Sequence, residues 1–423
     1  MTTKASPPGA GVRGAMIAVF AVFFAAGFVF SSWASRIPTV QSELGLNPGQ
    51  MGMLLLVGSL GSIISLPLAG RLVGRFGARR TVGTSVLAIA VSLASAVAFV
   101  FAGNPFLTGA MLLLALAGVG AMDVAMNFEG TLVEQRLGRA IMPHFHGCFS
   151  LGTIAGAGVG TLLSRAGVPI TTHVWSAIVA VVVITAVSLA FFFPDDAHTE
   201  GGPRTEPDGA DGEARAGEGA NPPGGKRGAG SYGRAWFEPR TLMVGLIVMA
   251  ASLTEGAAND WLALGIREGF EVPEHQGAFG LTLFVTAMTV MRFTGTWLLN
   301  RFGRVAVLRL CTGLAIMGLA IFGLSPSLPV AMVGAVLWGL GAALGFPVGM
   351  SAASDEPLHA AARLSVVSTI GYGAFLIGPP LLGLLADHVG YRHALLAIIV
   401  PLLAGLAVMR QAAPPGPVHA RAE

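Results

Sequence analysis

The sequence predicts an all-α membrane protein of twelve spanning helices in two sets of six, and three observations lead there. Hydrophobic residues make up 53% of the 423-residue chain and charged residues 11%, and the mean hydropathy is +0.72, too apolar for a soluble globular protein. The chain offers twelve apolar stretches of spanning length, since a helix rising 1.5 Å per residue needs about 20 residues to cross about 30 Å of hydrocarbon. Near the middle, residues 201–230 hold ten Gly and four Pro with no Ile, Leu, Val or Phe. Such a segment cannot bury a core and reads as a disordered linker between the two sets.

The spans fall near 14–34, 50–70, 81–102, 107–130, 146–165 and 172–193, then near 241–262, 277–299, 304–324, 328–350, 365–386 and 391–410. Span 1 follows Lys4 and Arg13 and ends in "SSWAS", which imitates a signal peptide. Its apolar run is long for one, and eleven more spans follow, so an uncleaved anchor is expected. The expected units are a bundle over 1–194, the linker over 195–239, a second bundle over 240–410 and a tail over 411–423. With the N-terminus inside, twenty-one Lys and Arg fall on the inner side and four (Arg36, Arg165, Arg267, Arg392) on the outer. That bias places both termini in the cytoplasm. It also accounts for the pI near 9.2, so no nucleic-acid partner is expected. Cys148 and Cys311, in different halves, read as small apolar residues.

The halves echo one another. "RFG" recurs at Arg75–Gly77 and Arg301–Gly303, Trp33 and Trp261 end the first span of each half, and "GVG" at 118–120 is matched by "GLG" at 339–341. Three matches in order indicate a tandem repeat. The loop "GRLVGRFGARR", with Gly70, Arg75, Gly77, Arg79 and Arg80, joins glycines for a tight turn to arginines held in the aqueous interface. Arg301 and Gly303 are its counterparts.

Six plus six spans, a long central loop and this motif resemble the major facilitator superfamily over nearly the whole chain. "WASRIP" (33–38), "MDVAMN" (122–127) and "HGCFSLG" (146–152) further resemble a bacterial subgroup related to fucose-type sugar permeases. The resemblance implies the major facilitator fold, two six-helix bundles rocking about a central cavity. It also implies a gating role for the 70–80 loop and its counterpart. Where the family carries an acidic locking residue, this chain has Gly74, and Asn300 in the second half, so the arginines would lock through other acceptors.

Several polar residues lie inside apolar spans. Asp123, Asn127, Gly130 and Glu134 fall within roughly 60° of one another on a helical wheel, a stripe that requires water or protein on that side. An ionised Asp at mid-bilayer costs about 2.5–3.5 kcal/mol. Asp123 is therefore either a proton or substrate site or a helix-packing hydrogen bond, and Glu134 reads as a solvated loop charge. In "TEGAANDW" Glu255 falls about 20 Å along span 7 and Asp260 about 30 Å. Asn259 shares a face with Glu255. Arg292 either snorkels to the inner interface, pairs with Asp123 or Glu255, or holds an anionic group of the solute. His144 and His146 read as interfacial histidines. Trp33, Trp175 and Trp261 read as interfacial anchors, the first and last with sugar stacking as the sharper alternative.

No P-loop and no metal-ligand spacing occurs, so neither ATP-driven transport, nor a cofactor, nor a metal is expected. The expectation is a non-enzymatic secondary transporter of a small polar solute, proton-coupled and monomeric, in the bacterial inner membrane. Its partners would be lipid, protons and the solute, with Asp123, Asn127, Glu255, Asn259, Asp260, Arg292, Trp33 and Trp261 as site residues. Export of an amphipathic toxic compound is the alternative, and a non-transporting sensor a third. Span 5 lacks the proline and span 4 the arginine typical of drug antiporters in the superfamily, which leans against export.

Overall fold

The computed structural model describes residues 10–138, 141–193, 235–356 and 360–414. Among these, eleven helices are long and apolar enough to cross a membrane, and a shorter apolar helix covers Tyr391–Ala407. The last is short because at 1.5 Å per residue it reaches only about 25 Å, and a 3₁₀ turn at Leu395–Ile398 interrupts it. Most of the expected linker lies outside the described residues.

The first six crossings use α1 (Ala10–Ala34), α3 (Pro48–Phe101), α4 (Pro105–Leu137), α5 (Met142–Arg165) and α6 (Ile170–Leu189), with the short α2 (Ile37–Leu44) between α1 and α3. Local chemistry sets the ends. Asn47 and Gln50 form a capping box at the start of α3, with Pro48 in the first turn. Asn104 accepts from the Leu107 N–H at the start of α4. Spans 2 and 3 run on as one helical stretch in which Gly77 alone breaks the geometry, at φ 81 and ψ 165. Its repeat partner Gly303 takes φ 78 and ψ 163. The "RFG" repeat thus encodes the same backbone turn twice, at a φ that a side chain would resist.

The second six crossings begin with α7 (Pro239–Ala257), a π-helical turn at Ala258–Leu262, and α8 (Ala263–Gly269), which together form one span. Next come α9 (Glu274–Phe302), α10 (Arg304–Leu324), α11 (Leu328–Ala342) with α12 (Gly345–Ala353), α13 (Ala360–Val389), and α14 (Tyr391–Ala394) with α15 (Ile399–Ala407). Inside the first bundle α1 packs closely on α5, where Gly152 and Gly156 face the backbone of Phe24 and Phe28. The bundles meet along α5 with α9 and α3 with α13.

One end of the molecule, the basic end, carries the exposed arginines of the Gly77 turn and Arg301. There Asp355 accepts from both Arg240 and Arg304 at 2.9 Å, and Arg240 and Arg304 also bind the last described backbone carbonyls, at Gln411–Ala413. Glu134 also belongs to this end and departs from expectation. It is more than a solvated charge, since its carboxylate accepts from the Ile141 and Met142 N–H groups at 2.7 and 2.8 Å. The first turn of α5 has orphan donors, and the nearest carboxylate satisfies them.

Candidate substrate and coupling site

The polar cluster at mid-height draws on both bundles. On α4 the Asn127 side-chain amide donates to the Asp123 backbone carbonyl at 2.8 Å and to its carboxylate at 3.2 Å, as residues four apart on a helix can. Asp123 is exposed although it sits mid-helix. Across the interface Tyr372 of α13, also exposed, lies within electrostatic reach of that carboxylate. It belongs to an aromatic run with Phe346 and Phe375, ring centroids 6.2 Å apart at each step.

In the second bundle Arg292 of α9 meets Glu255 of α7, one guanidinium nitrogen lying 2.9 and 2.8 Å from the two carboxylate oxygens. Its Nε–H donates to the Ala343 carbonyl at 3.3 Å. Among the expected readings, the structure shows pairing, and the partner is Glu255. Both side chains keep about a quarter of their surface open, 25% and 29%. His146 of α5 faces this pair from the other bundle, exposed, within electrostatic reach of Arg292 and edge-on to Phe23. Chemically, this puts an acid with an amide on one bundle and a carboxylate–guanidinium pair on the other. Protonating Glu255 would free Arg292 to hold an anionic or hydroxylated solute.

At the opposite end the bundles are locked together, by residues that sequence reasoning did not single out as a site. Arg36, 3% exposed, donates to His173 Nδ1 at 3.1 Å, to the Val168 carbonyl at 3.0 Å and to Glu274 of α9 at 3.0 Å. Glu274 also accepts from Ser164, from the Thr39 N–H and from the Thr39 hydroxyl. Nearby, Gln41 donates to the Tyr391 hydroxyl, the Gly49 N–H to Asp387 at 3.0 Å, and Arg267 to the Pro38 carbonyl at 2.6 Å. Deeper in, Thr161 and Thr282 face each other at 3.1 Å. A Cβ on Gly52 would lie 2.5 Å from the Pro379 carbonyl oxygen, and one on Gly383 2.6 Å from that of Pro48, so α3 and α13 touch backbone to backbone. Among the described residues, these hydrogen bonds between bundles gather at this end, while Asp123, His146 and Tyr372 are exposed below them.

The remaining expected residues distribute as follows. Trp33 and Trp261 are buried, at 8% and 1% exposure, so the anchor reading does not hold for them. Trp261 packs on Tyr391 under the lock and reaches Gly383 of α13, so protein surrounds it. Trp175 does stay exposed. Asn259 and Asp260 occupy the π-turn, above Glu255 and apart from the cluster. Arg75, Arg79, Arg80 and Arg301 are exposed, with Arg75 lying over the ring of Phe76, and Gly70 has open space around it. On α4 the fully buried acid is Glu129 rather than Asp123; it accepts from the Phe193 N–H at 2.7 Å.

Two helical bundles joined by hydrogen bonds at one end, with Asp123 exposed on one and the Glu255–Arg292 pair part-exposed on the other, have the architecture of a secondary membrane transporter. The chain belongs to the Major Facilitator Superfamily, whose sequence profile matches residues 15–254 and 244–423. It is 32% identical over 396 residues to the uncharacterized transporter y4wD of Sinorhizobium fredii, covering 91% of this chain and 97% of that one. With such relatives it is a bacterial multi-pass inner-membrane protein. Among solved structures it resembles the nucleoside transporter NupG, with TM-score 0.73 and 12% identity over 94% of this chain and 98% of that one. It also resembles the E. coli fucose:proton symporter FucP, with TM-score 0.61 and 18% identity over the same shares. At these identities the likeness is one of fold.

Proposed function

We propose that the protein is a proton-coupled transporter of a small polar, sugar-like solute, in the line of the fucose-type permeases. On this reading the basic end faces the cytoplasm, with both termini there, and the 195–239 segment joins the two bundles on that side. The positive-inside bias supports that orientation. The present conformation is then inward-facing, with the Arg36–Glu274 end closed toward the outside.

The observations that carry the proposal are that Asp123, bonded to Asn127 on one bundle, lies within electrostatic reach of Tyr372 of the other, and that the Glu255–Arg292 pair of the second bundle lies within reach of His146 of the first. Two carboxylates held in spans are costly unless they are used. Asn127, Tyr372 and His146 supply hydrogen-bonding groups suited to hydroxyls, and the aromatic run from Phe346 to Phe375 offers faces for a ring. Glu255 alternates between a proton and Arg292, and Asp123 binds the solute or a second proton. The test is solute flux in proteoliposomes under an imposed proton gradient. Asp123→Asn and Glu255→Gln should abolish accumulation while leaving exchange down a solute gradient measurable. Accumulation equal to the parent's would refute the coupling assignment.

A further inference from the structure

The Gly77 turn that joins spans 2 and 3 stands beside a groove that the transport site does not use. The groove has a volume of about 700 Å³ and lies wholly on the first bundle. Leu72 and Phe76 line it from before the turn, Leu87 from after it, and Ala186 and Leu189 from α6. Leu72, Phe76 and Leu87 are exposed on spanning helices, so this apolar surface is open to the bilayer. Arg79 and Arg80, both exposed, line the same groove. Its hydroxyls are occupied, since Thr81 donates to the Gly77 carbonyl at 2.7 Å and Thr84 to the Arg80 carbonyl at 2.9 Å. The guanidinium groups are therefore what the groove offers to a polar ligand.

The two halves treat their turn arginines differently. At the Gly303 turn Arg304 donates to both oxygens of Asp355, at 2.9 and 3.0 Å. In the first half the acid nearest the corresponding place, Glu134, is taken up by the Ile141 and Met142 N–H groups. Among the described residues Arg79 makes no hydrogen bond and no ion pair, and no carboxylate lines the groove. Residues 70–84 hold four arginines and no acid. Guanidinium groups bind phosphate oxygens through paired N–H donors, and basic pockets between spanning helices take anionic headgroups. A soluble phosphate would leave the apolar walls uncovered. A zwitterionic lipid would bring an ammonium that meets only like charge here. A lipid with a net negative headgroup matches both the walls and the rim.

We propose that the groove between the Gly77 turn and α6 binds an anionic phospholipid of the phosphatidylglycerol kind, its phosphate on Arg79 and Arg80 and an acyl chain along Leu72, Leu87 and Leu189. The site is separate from the Asp123 and Glu255 cluster and independent of which solute is carried.

The test uses the purified full-length chain, delipidated in neutral detergent, with thermal shifts and native mass spectrometry. The probes are phosphatidylglycerol, phosphatidylethanolamine, phosphatidylcholine and soluble glycerol phosphate. Phosphatidylglycerol should stabilise the fold saturably and remain bound, where the other three do not. Arg79→Gln should raise the half-saturating lipid concentration about tenfold, the effect of losing one charge-assisted hydrogen bond. Ala186→Trp, which puts bulk into the groove from α6, should weaken binding as well. Arg309→Gln removes an exposed arginine near the start of α10, in the other bundle, and should leave binding unchanged. Should Arg79→Gln fail to fold, Ala186→Trp and the lipid preference of the parent still decide. Equal responses to phosphatidylglycerol and phosphatidylethanolamine, or to the lipid and glycerol phosphate, would overturn the site. So would binding undiminished by Arg79→Gln or Ala186→Trp, or weakened as much by Arg309→Gln. None of these results bears on solute flux, so the proposed transport function stands or falls separately.

Discussion

Replacing Glu274 by Gln should unlatch the outer end. The carboxylate accepts from Arg36 at 3.0 Å, from Ser164 at 2.9 Å and from the Thr39 N–H at 3.1 Å, and all three donors belong to the other bundle. Every one of these bonds is lost when the bundles part at this end, so their strength enters the difference between the two conformations undiluted. Breaking a buried ion pair costs about 3–5 kcal/mol. Glu274 keeps 16% of its surface open and Gln retains some hydrogen bonding, so about 2–3 kcal/mol is the better figure. At 1.4 kcal/mol per factor of ten, the population open at this end should rise roughly 30- to 140-fold. The assay replaces Cys148 and Cys311, places a single cysteine at Thr282, which faces Thr161 across the closed interface, and follows labelling by a membrane-impermeant maleimide added outside. A cysteine at Thr131, on the opposite side of the cluster, should label less from the inside as the equilibrium shifts. Labelling of the Thr282 cysteine unchanged by Glu274→Gln would refute the assignment of this pair as a conformational latch.

Three more outcomes are expected. Gly52→Val, whose Cβ would meet the Pro379 carbonyl oxygen at 2.5 Å, should hold the outer end ajar and reduce transport while the protein stays folded, read by the same labelling and by thermal stability; normal transport would contradict the backbone contact. Arg292→Gln should change the pH profile of transport, because Glu255 loses its guanidinium partner; an unaltered profile would remove the pair from coupling. In the 354–356 turn, hydrogen bonding from Arg363 holds the Glu356 carboxyl below its ordinary value of 4.5. A depressed carboxyl stabilises the fold above its unfolded value and loses that contribution as pH falls through the folded one. Melting temperature should therefore decline on acidification below about pH 4.5, and Glu356→Gln should flatten that decline.

The spans were legible because an apolar window of about 20 residues announces itself whatever its neighbours do. The Gly77 and Gly303 turns were legible because glycine with flanking arginines has a local reason to be there. The latch was not. Arg36 and Glu274 stand 238 residues apart, and each alone looks like an interface charge. Pairing is a property of the closed interface rather than of either segment. Trp33 and Trp261 misled for a related reason. A tryptophan at a span end signals an anchor, and only the fold reveals Tyr391 and Gly383 packed against Trp261. The π-turn has no periodicity of its own to read, since one extra residue in a helix leaves composition untouched. For Arg292 the sequence left snorkelling, two acids and a solute anion open, and three dimensions were needed to find Glu255.

The contact of Gly52 with Pro379 and of Gly383 with Pro48 gives the gate a thermal character. Where α3 and α13 separate, peptide groups are uncovered at these two contacts beside side chains such as Leu384. Hydrating polar backbone lowers heat capacity whereas hydrating apolar surface raises it, so here the two contributions tend to cancel. These peptide contacts should therefore weaken less on cooling than contacts closed by large hydrophobic side chains alone.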